Sequence, residues 1–358
     1  MYLDFASRCF IQIHNYANSW ELYLKESNLK YHITEHPKNI DLHVKFESDF
    51  PYSTDKVLHP KYGATGDKII IRDNKEKAIA FDMSKIGVEE TDIIVEQGFN
   101  LKSLHEILLE AIKIVLLNKG IACLHASSYL TENGAKIISG WEGIGKSAIM
   151  LKKVYAGDRF LSDDRTFLSK DGQVYPIYSD IIQYSGEFSS FKELSEYVGM
   201  KERFVMKTNI FLHSLIRKNK SSLIHRGLNK TLHLLRKLNL YEIHIPLEKV
   251  SIGENTGHEL KQIFVLQQVN ETGISDNHVS KEDLISSIIN TTKFDDQGIF
   301  RLYDSYKYLF PDKTNVILEE YDHKLYEIIT QGINNAKISH FNILRDSTVS
   351  ETIKIINA

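Results

Sequence analysis

Gly140-Trp141-Glu142-Gly143-Ile144-Gly145-Lys146-Ser147 fits G-x-x-x-x-G-K-[ST], the pattern of a phosphate-binding loop. Its flanks suit that reading. Lys136-Ile137-Ile138-Ser139 reads as a short buried strand, and Ser147 to Tyr155 reads as a helix with apolar residues near helical spacing. Glycines let the backbone curl so that several N–H groups point at phosphate oxygens, and the helix start adds the positive end of its dipole. Lys146 then bridges the β and γ phosphates, and Ser147 offers its hydroxyl to Mg²⁺. Gly140, Glu142, Gly143, Ile144, Gly145 and Ala148 complete the expected cradle. The ligands expected are ATP and Mg²⁺.

Outward from the loop, the pattern alternates strands and helices. Leu101, Leu104, Leu108, Leu109, Ile112 and Leu116 form one helical stripe, which Gly120 ends. Ile121 to Ser127 reads as a strand, and Thr131-Glu132-Asn133-Gly134 as a hairpin turn into the strand before the loop. After the loop helix, Arg159-Phe160-Leu161-Ser162 reads as a strand ending at Asp163-Asp164, placed beside the loop strand. A hairpin turns at Lys170-Asp171-Gly172, Leu260 to Gln267 reads as a late strand, and a last strand is expected near Ile343. Residues 1–100 differ in character. Lys68–Arg72 and Lys77–Phe81 flank a turn, and Pro37, Pro51 and Pro60 disfavour long helices. The expectation is an α/β protein: a β-rich N-terminal domain over 1–100, then a nucleotide-binding domain over 101–358 with a largely helical basic insertion near 190–245.

Bulk properties exclude some classes. The 358 residues are 42% hydrophobic and 25% charged, with a net charge of -3. That balance gives no global attraction to nucleic acid or anionic membrane. No apolar run approaches the length of a membrane span. Met1 to Phe5 lacks the basic start and apolar run of a secretory signal. Cys9 and Cys123 match no metal spacing and read as reduced thiols, which suits the cytoplasm.

Three further features turn binding towards reaction. Asp163 and Asp164 follow a hydrophobic strand, where carboxylates hold Mg²⁺ or accept a proton from an attacking hydroxyl. On an extended backbone their side chains would leave in opposite directions and divide those roles. His125 lies in an otherwise apolar and small-residue strand shortly before the loop. It reads either as a satisfied core histidine or as a phosphate or carboxylate contact. Arg165 reads as a partner of the aspartates or of phosphate, or as half of a purely structural ion pair.

Taken together, Leu124-His125-Ala126-Ser127, the loop, and Phe160-Leu161-Ser162-Asp163-Asp164-Arg165 resemble the catalytic domain of HPr kinase/phosphorylase and its relatives. The likeness covers about residues 100–180, with a weaker echo at 260–266. It implies a P-loop kinase domain with a mixed sheet and transfer of phosphate from ATP to a serine hydroxyl. It assigns Lys146 and the loop amides to the phosphates, Ser147 to Mg²⁺, and the aspartate pair to acid–base work and metal positioning. His125 would lie beside the transferred phosphate, and Glu187 would be a second magnesium carboxylate. The local run Ser185-Gly186-Glu187-Phe188-Ser189 departs from that family's glycine-rich signature, and Ala126 stands where its glycine is usual. The N-terminal 100 residues do not read like that enzyme's regulatory domain. The resemblance therefore points to a divergent relative, of the kind that modifies precursor peptides, rather than to an enzyme acting on HPr.

The expected function is ATP-dependent phosphorylation of a hydroxyl, most readily serine in a peptide or protein, with Asp163 as base and Asp164 as metal partner. Catalytic weight is expected on Asp163, Asp164, His125 and Lys146; Ser147, Asp164 and Glu187 are the expected metal ligands. Competing readings are a nucleotide-binding regulatory or assembly protein and a kinase for a small metabolite. The basic run from Arg217 through Lys237 reads either as a solvated helical face or as a clamp for phosphates or an acidic peptide. His32 and His36, four residues apart but followed by Pro37, read as incidental. Expected partners are a peptide or protein acceptor and a second copy of the chain, not nucleic acid or membrane.

Overall fold

A computed structural model describes residues 1–178, 181–184, 207, 242–245, 247–269 and 279–344. Glu187 and the basic run from Arg217 to Lys237 lie outside the described residues. The fold is mixed α/β, with two large mixed sheets and, among the described residues, seven α-helices. No helix there is long and apolar enough to cross a membrane.

The first sheet has nine strands: β1 (Tyr2–Phe5), β2 (Cys9–His14), β3 (Ile33–Thr34), β4 (Leu42–Glu47), β5 (Lys56–His59), β6 (Tyr62–Thr65), β7 (Lys68–Arg72), β8 (Ala78–Phe81) and β9 (Thr91–Glu96). Their order is β3-β1-β2-β4-β9-β8-β7-β6-β5. The expected hairpin is β7–β8, with Arg72 opposite Ala78. In keeping with the prolines, the one α-helix within this stretch, α1 (Asn18–Glu26), has nine residues.

Helix α2 (Leu101–Asn118) follows, its first turn capped by Asn100, whose side chain accepts from the Ser103 amide at 2.9 Å. Leu104, Leu108, Ile112 and Leu116 are buried as the stripe required. From Ala111 to Leu117 every residue is buried, because this half of the helix has packing neighbours on all sides.

The second sheet contains β10 (Ile121–Thr131), β11 (Gly134–Gly140), β12 (Arg159–Ser162), β13 (Arg165–Ser169), β14 (Gln173–Tyr175), β17 (His258–Val269) and β18 (Lys337–Leu344), with α3 (Lys146–Tyr155) between β11 and β12. A separate pair joins β15 (Ile181–Tyr184) to β16 (Glu242–Ile245). Strands β11, β17 and β18 run parallel, and β10 pairs antiparallel with β11. The aspartate strand does not neighbour the loop strand, correcting the sequence expectation. Both β12 and β13 pair with β10, one after the other along the same edge, while β17 takes the far side of β11. The late strand thus displaces β12 from the place that chain order suggested.

Successive residues of β11 face opposite cores, as the pleat demands. Ile137 joins the core shared with α2 and the first sheet, and Ile138 joins the core under α3. Burial on both faces explains why the strand carries two adjacent isoleucines instead of alternating apolar and polar residues. Four more helices pack on the α2 side: α4 (Lys281–Asp295), α5 (Gln297–Leu309), α6 (Val316–Glu319) and α7 (Tyr321–Gly332). Polar contacts pin the first sheet to them: Tyr306 donates to Asp82 at 2.8 Å, and Asn315 Nδ2 donates to the carbonyls of Met83 and Ile86. One apolar core runs from Leu3 to Ile333.

Candidate functional site

The parallel strand β11 delivers the chain into the glycine-rich turn at its carboxyl end, the usual ligand-facing end of parallel strands. A Cβ on Gly140 would lie 2.7 Å from the Leu266 carbonyl oxygen, so only glycine lets the strand leave the sheet there. Gly145 caps α3 in the left-handed region, at φ 92° and ψ 20°, which turns the helix start towards the loop. Trp141 is exposed and packs on Phe294 with ring centroids 4.7 Å apart.

Lys146 opens α3, yet its side chain is buried. Its ammonium donates to the carbonyls of Gly140 (2.9 Å) and Trp141 (3.2 Å) and to His125 Nε2 (3.0 Å). Burial lowers the Lys146 pKa; the carboxylates of Asp164 and Asp163 oppose that shift. Burial also lowers the His125 pKa, helped by the Lys146 charge and resisted by Asp164 and Asp295. The imidazole is therefore neutral, and a nitrogen accepting from an ammonium carries no proton. The His125 proton sits on Nδ1, which faces Asp164 Oδ1 at 3.6 Å and Asp295 Oδ1 at 3.7 Å.

The two aspartates fill the bend between β12 and β13. Asp163 points inward, 4% exposed, and Oδ1 accepts from Ser127 Oγ (2.8 Å) and the Asp164 amide (3.0 Å). Ser147 also hydrogen-bonds this carboxylate. Burial is the largest influence and pushes the Asp163 pKa up to about 6, against the pull of its serine donors. The side chain of Asp164 is 64% exposed. The pair does divide into inner and outer carboxylates, but not on the extended backbone expected: Asp164 has φ +64°, and the Arg165 amide closes back on the Asp163 carbonyl at 2.7 Å.

Glu142 and Gly143 are exposed at the loop, Ile144 and Ala148 are buried beneath it, and Ser147 lines the same cavity as Lys146, Asp163 and Asp164. Of the expected catalytic and loop residues, then, His125, Glu142, Gly143, Gly145, Lys146, Ser147, Asp163 and Asp164 line one cavity, and Gly140, Ile144 and Ala148 do not. Arg165 pairs with neither aspartate side chain of the bend. Its Nε donates to Asp295 Oδ2 at 3.2 Å. His32 is buried and bonded to the Asp4 carbonyl, while His36 is exposed, so the two form no metal pair. Cys9 and Cys123 are both free thiols.

Asp295 was missed by the sequence reading. It ends α4, where the helix dipole disfavours a carboxylate, and a second one, Asp296, follows it. An acidic pair at that end needs compensating cations, which was the available signal. Arg165 supplies one, and buried Lys113 supplies another, 2.7 Å from Asp296. His125, Asp164 and Asp295 bring a ring nitrogen and two carboxylate oxygens within 4.8 Å of one another; the two carboxylates can take a cation directly, whereas Nδ1 would first have to give up its proton. Because the Asp295 charge resists the lowering of the His125 pKa, Asp295→Asn should lower that pKa further. The check is an NMR titration of the labelled His125 ring in both proteins. An unchanged titration would show that Asp295 does not act on the ring.

No protein-family model matches the chain, and a search of curated proteins finds no match.

Proposed function

We propose that the protein is an ATP-dependent kinase of the HPr kinase type that transfers the γ-phosphate to a hydroxyl, most readily a serine of a peptide or protein. The observation that carries this reading is the convergence, in one cavity, of Lys146 and Ser147 from the loop with Asp163 and Asp164 from the bend. Loop amides and Lys146 bind the phosphates, and the helix start behind them favours their charge. Mg²⁺, when bound, neutralises charge on the β and γ phosphates. Its proposed ligands are Ser147 and Asp164; Asp164 belongs to the group of cation-competent atoms, which supports the fit.

Asp163 is the proposed base. Its carboxylate takes the proton of the acceptor hydroxyl as the new oxygen–phosphorus bond forms and the bond to the bridging oxygen of ADP breaks. A carboxyl poised near 6 is half ionised there and still basic enough to pull a proton, the compromise that acid–base catalysis favours. His125, neutral and anchored by Lys146, keeps a polar N–H beside the reacting group. The free thiols suit a reducing cytoplasm. The competing reading, a nucleotide-binding regulator, would use a carboxylate opposite the loop only to hold the cation. It predicts ATP binding without acceptor-dependent release of ADP.

The test is incubation with γ-labelled ATP, Mg²⁺ and serine peptides, read as a gain of one phosphate by mass. Because the base must be ionised, kcat/KM should rise with pH, bend near pH 6 and stay flat above it. A flat profile from pH 5 to 8 would rule Asp163 out as base.

A further inference from the structure

Trp141 and Phe294 meet on the lining of the cavity that holds the aspartates. Their ring centroids are 4.7 Å apart, and each residue is 50% exposed. Among the described residues this is the only ring contact that joins two exposed aromatics. Single exposed apolar residues are ordinary; two in contact beside a polar cavity form the start of a binding surface. The pair is held at both ends. The Trp141 carbonyl accepts from the buried Lys146 ammonium at 3.2 Å, and Phe294 sits in the last turn of α4. Glu142 follows Trp141, is exposed, and has no ion-pair partner among the described residues. The space over Gly143 is open: a Cβ there would meet nothing within 4 Å. The nearby cations are committed elsewhere. Lys146 is buried beneath the loop, Arg165 donates to Asp295, and Lys293 pairs with Asp322 at 2.6 Å.

We propose that Trp141, Phe294 and Glu142 form a seat for an arginine side chain of the acceptor, next in sequence to the residue that carries the hydroxyl. The proposal rests on the kinase reading for the hydroxyl, but not for the seat's preference for a guanidinium. A guanidinium is planar, stacks on an aromatic face and turns its N–H fork towards a carboxylate. Ring and carboxylate on successive residues of the loop offer both at once. An aliphatic side chain would cover the rings but bring apolar surface against the Glu142 charge. A carboxylate would meet like charge from Glu142, Asp164 and Asp295. An ammonium keeps the attraction but loses the stack and the fork. The base of the nucleotide is the other planar candidate, and the position of the rings argues against it. Asp295 follows Phe294 and faces His125 at 3.7 Å, so the rings border the aspartate end of the cavity, where the proposed base takes the acceptor proton.

The experiment uses the full chain with ADP and Mg²⁺. Fluorescently labelled five-residue peptides, blocked at both ends, carry a central serine between two residues of one kind: arginine, lysine, leucine or glutamate. Anisotropy should show the arginine peptide binding about tenfold more tightly than the leucine peptide, with lysine between them and glutamate weakest. Phe294→Leu and Trp141→Leu, both at exposed positions, should each bring arginine down to the level of lysine, and Phe294→Leu should leave ADP affinity unchanged by calorimetry. Glu142→Arg should reverse the order and make the glutamate peptide the tightest. No binding of any peptide, a parental order that does not favour arginine, or an order that survives all three variants would overturn the proposal. So would a Trp141→Leu protein that loses affinity for ADP but not for inorganic pyrophosphate and keeps its peptide order, which would give the rings to the base. Mass analysis after exchange of ADP for ATP separates the seat from the kinase reading. An arginine peptide that binds without gaining phosphate supports the seat and overturns the kinase; equal phosphorylation of the arginine and glutamate peptides does the reverse.

Discussion

Asp163→Asn should reduce phosphoryl transfer by about 10³-fold and leave ATP binding essentially intact, since loss of a positioned base costs roughly 10²–10⁴ in rate. The same change should stabilise the protein. Burial raises the carboxyl pKa from 3.8 to about 6, so the folded state holds a proton that the unfolded chain has released between those values. Stability therefore falls as pH rises through that window. Above about pH 6 the native protein carries a cost on the order of 3 kcal/mol. Asparagine keeps an oxygen for Ser127 and carries no charge to desolvate. The variant should melt higher than the parent at pH 8, and the gain should vanish near pH 4. Binding by calorimetry, turnover by mass and melting at the two pH values together check the claim. Joint loss of binding and turnover, with a lower melting temperature, would mark Asp163 as a structural residue.

Lys146→Ala should nearly abolish transfer, by about 10³-fold or more, because phosphoryl transfer depends on charge stabilisation and positioning. Unlike the aspartate change, it should also weaken ATP binding. The side chain now donates to two loop carbonyls and to His125, so its removal loosens the turn as well as the phosphate contact. The Lys146 charge helps to lower the His125 pKa; without it that pKa should rise. Single-turnover transfer, ATP affinity and the His125 titration give three readouts. Retained transfer at the parental rate would remove Lys146 from the mechanism.

Much of this arrangement was legible in the residues. The loop, its helix, the 132–133 hairpin and the α2 stripe each follow a local rule of spacing or turn chemistry, and each forms where that rule put it. The pairing of strands was not legible. Chain order placed β12 next to β11, but a strand some hundred residues later, β17, takes that edge, and nothing local in either sequence encodes which wins. Asp164 illustrates a finer failure: its left-handed backbone depends on the bend between two strands that share β10 as partner. Asp295 was hidden for a similar reason. It reaches His125 only through the packing of α4 on β10, a contact between residues 170 positions apart in the chain.

The uninterrupted interior that joins the first sheet to the sheet bearing the glycine-rich loop also bears on heredity. A module that closes on its own hydrophobic interior can be duplicated, swapped or fused without its neighbour. Here neither sheet has that freedom: α2 would expose a broad oily flank if parted from either side. Recombination that cut the gene near codon 100 would leave two fragments with bare interiors.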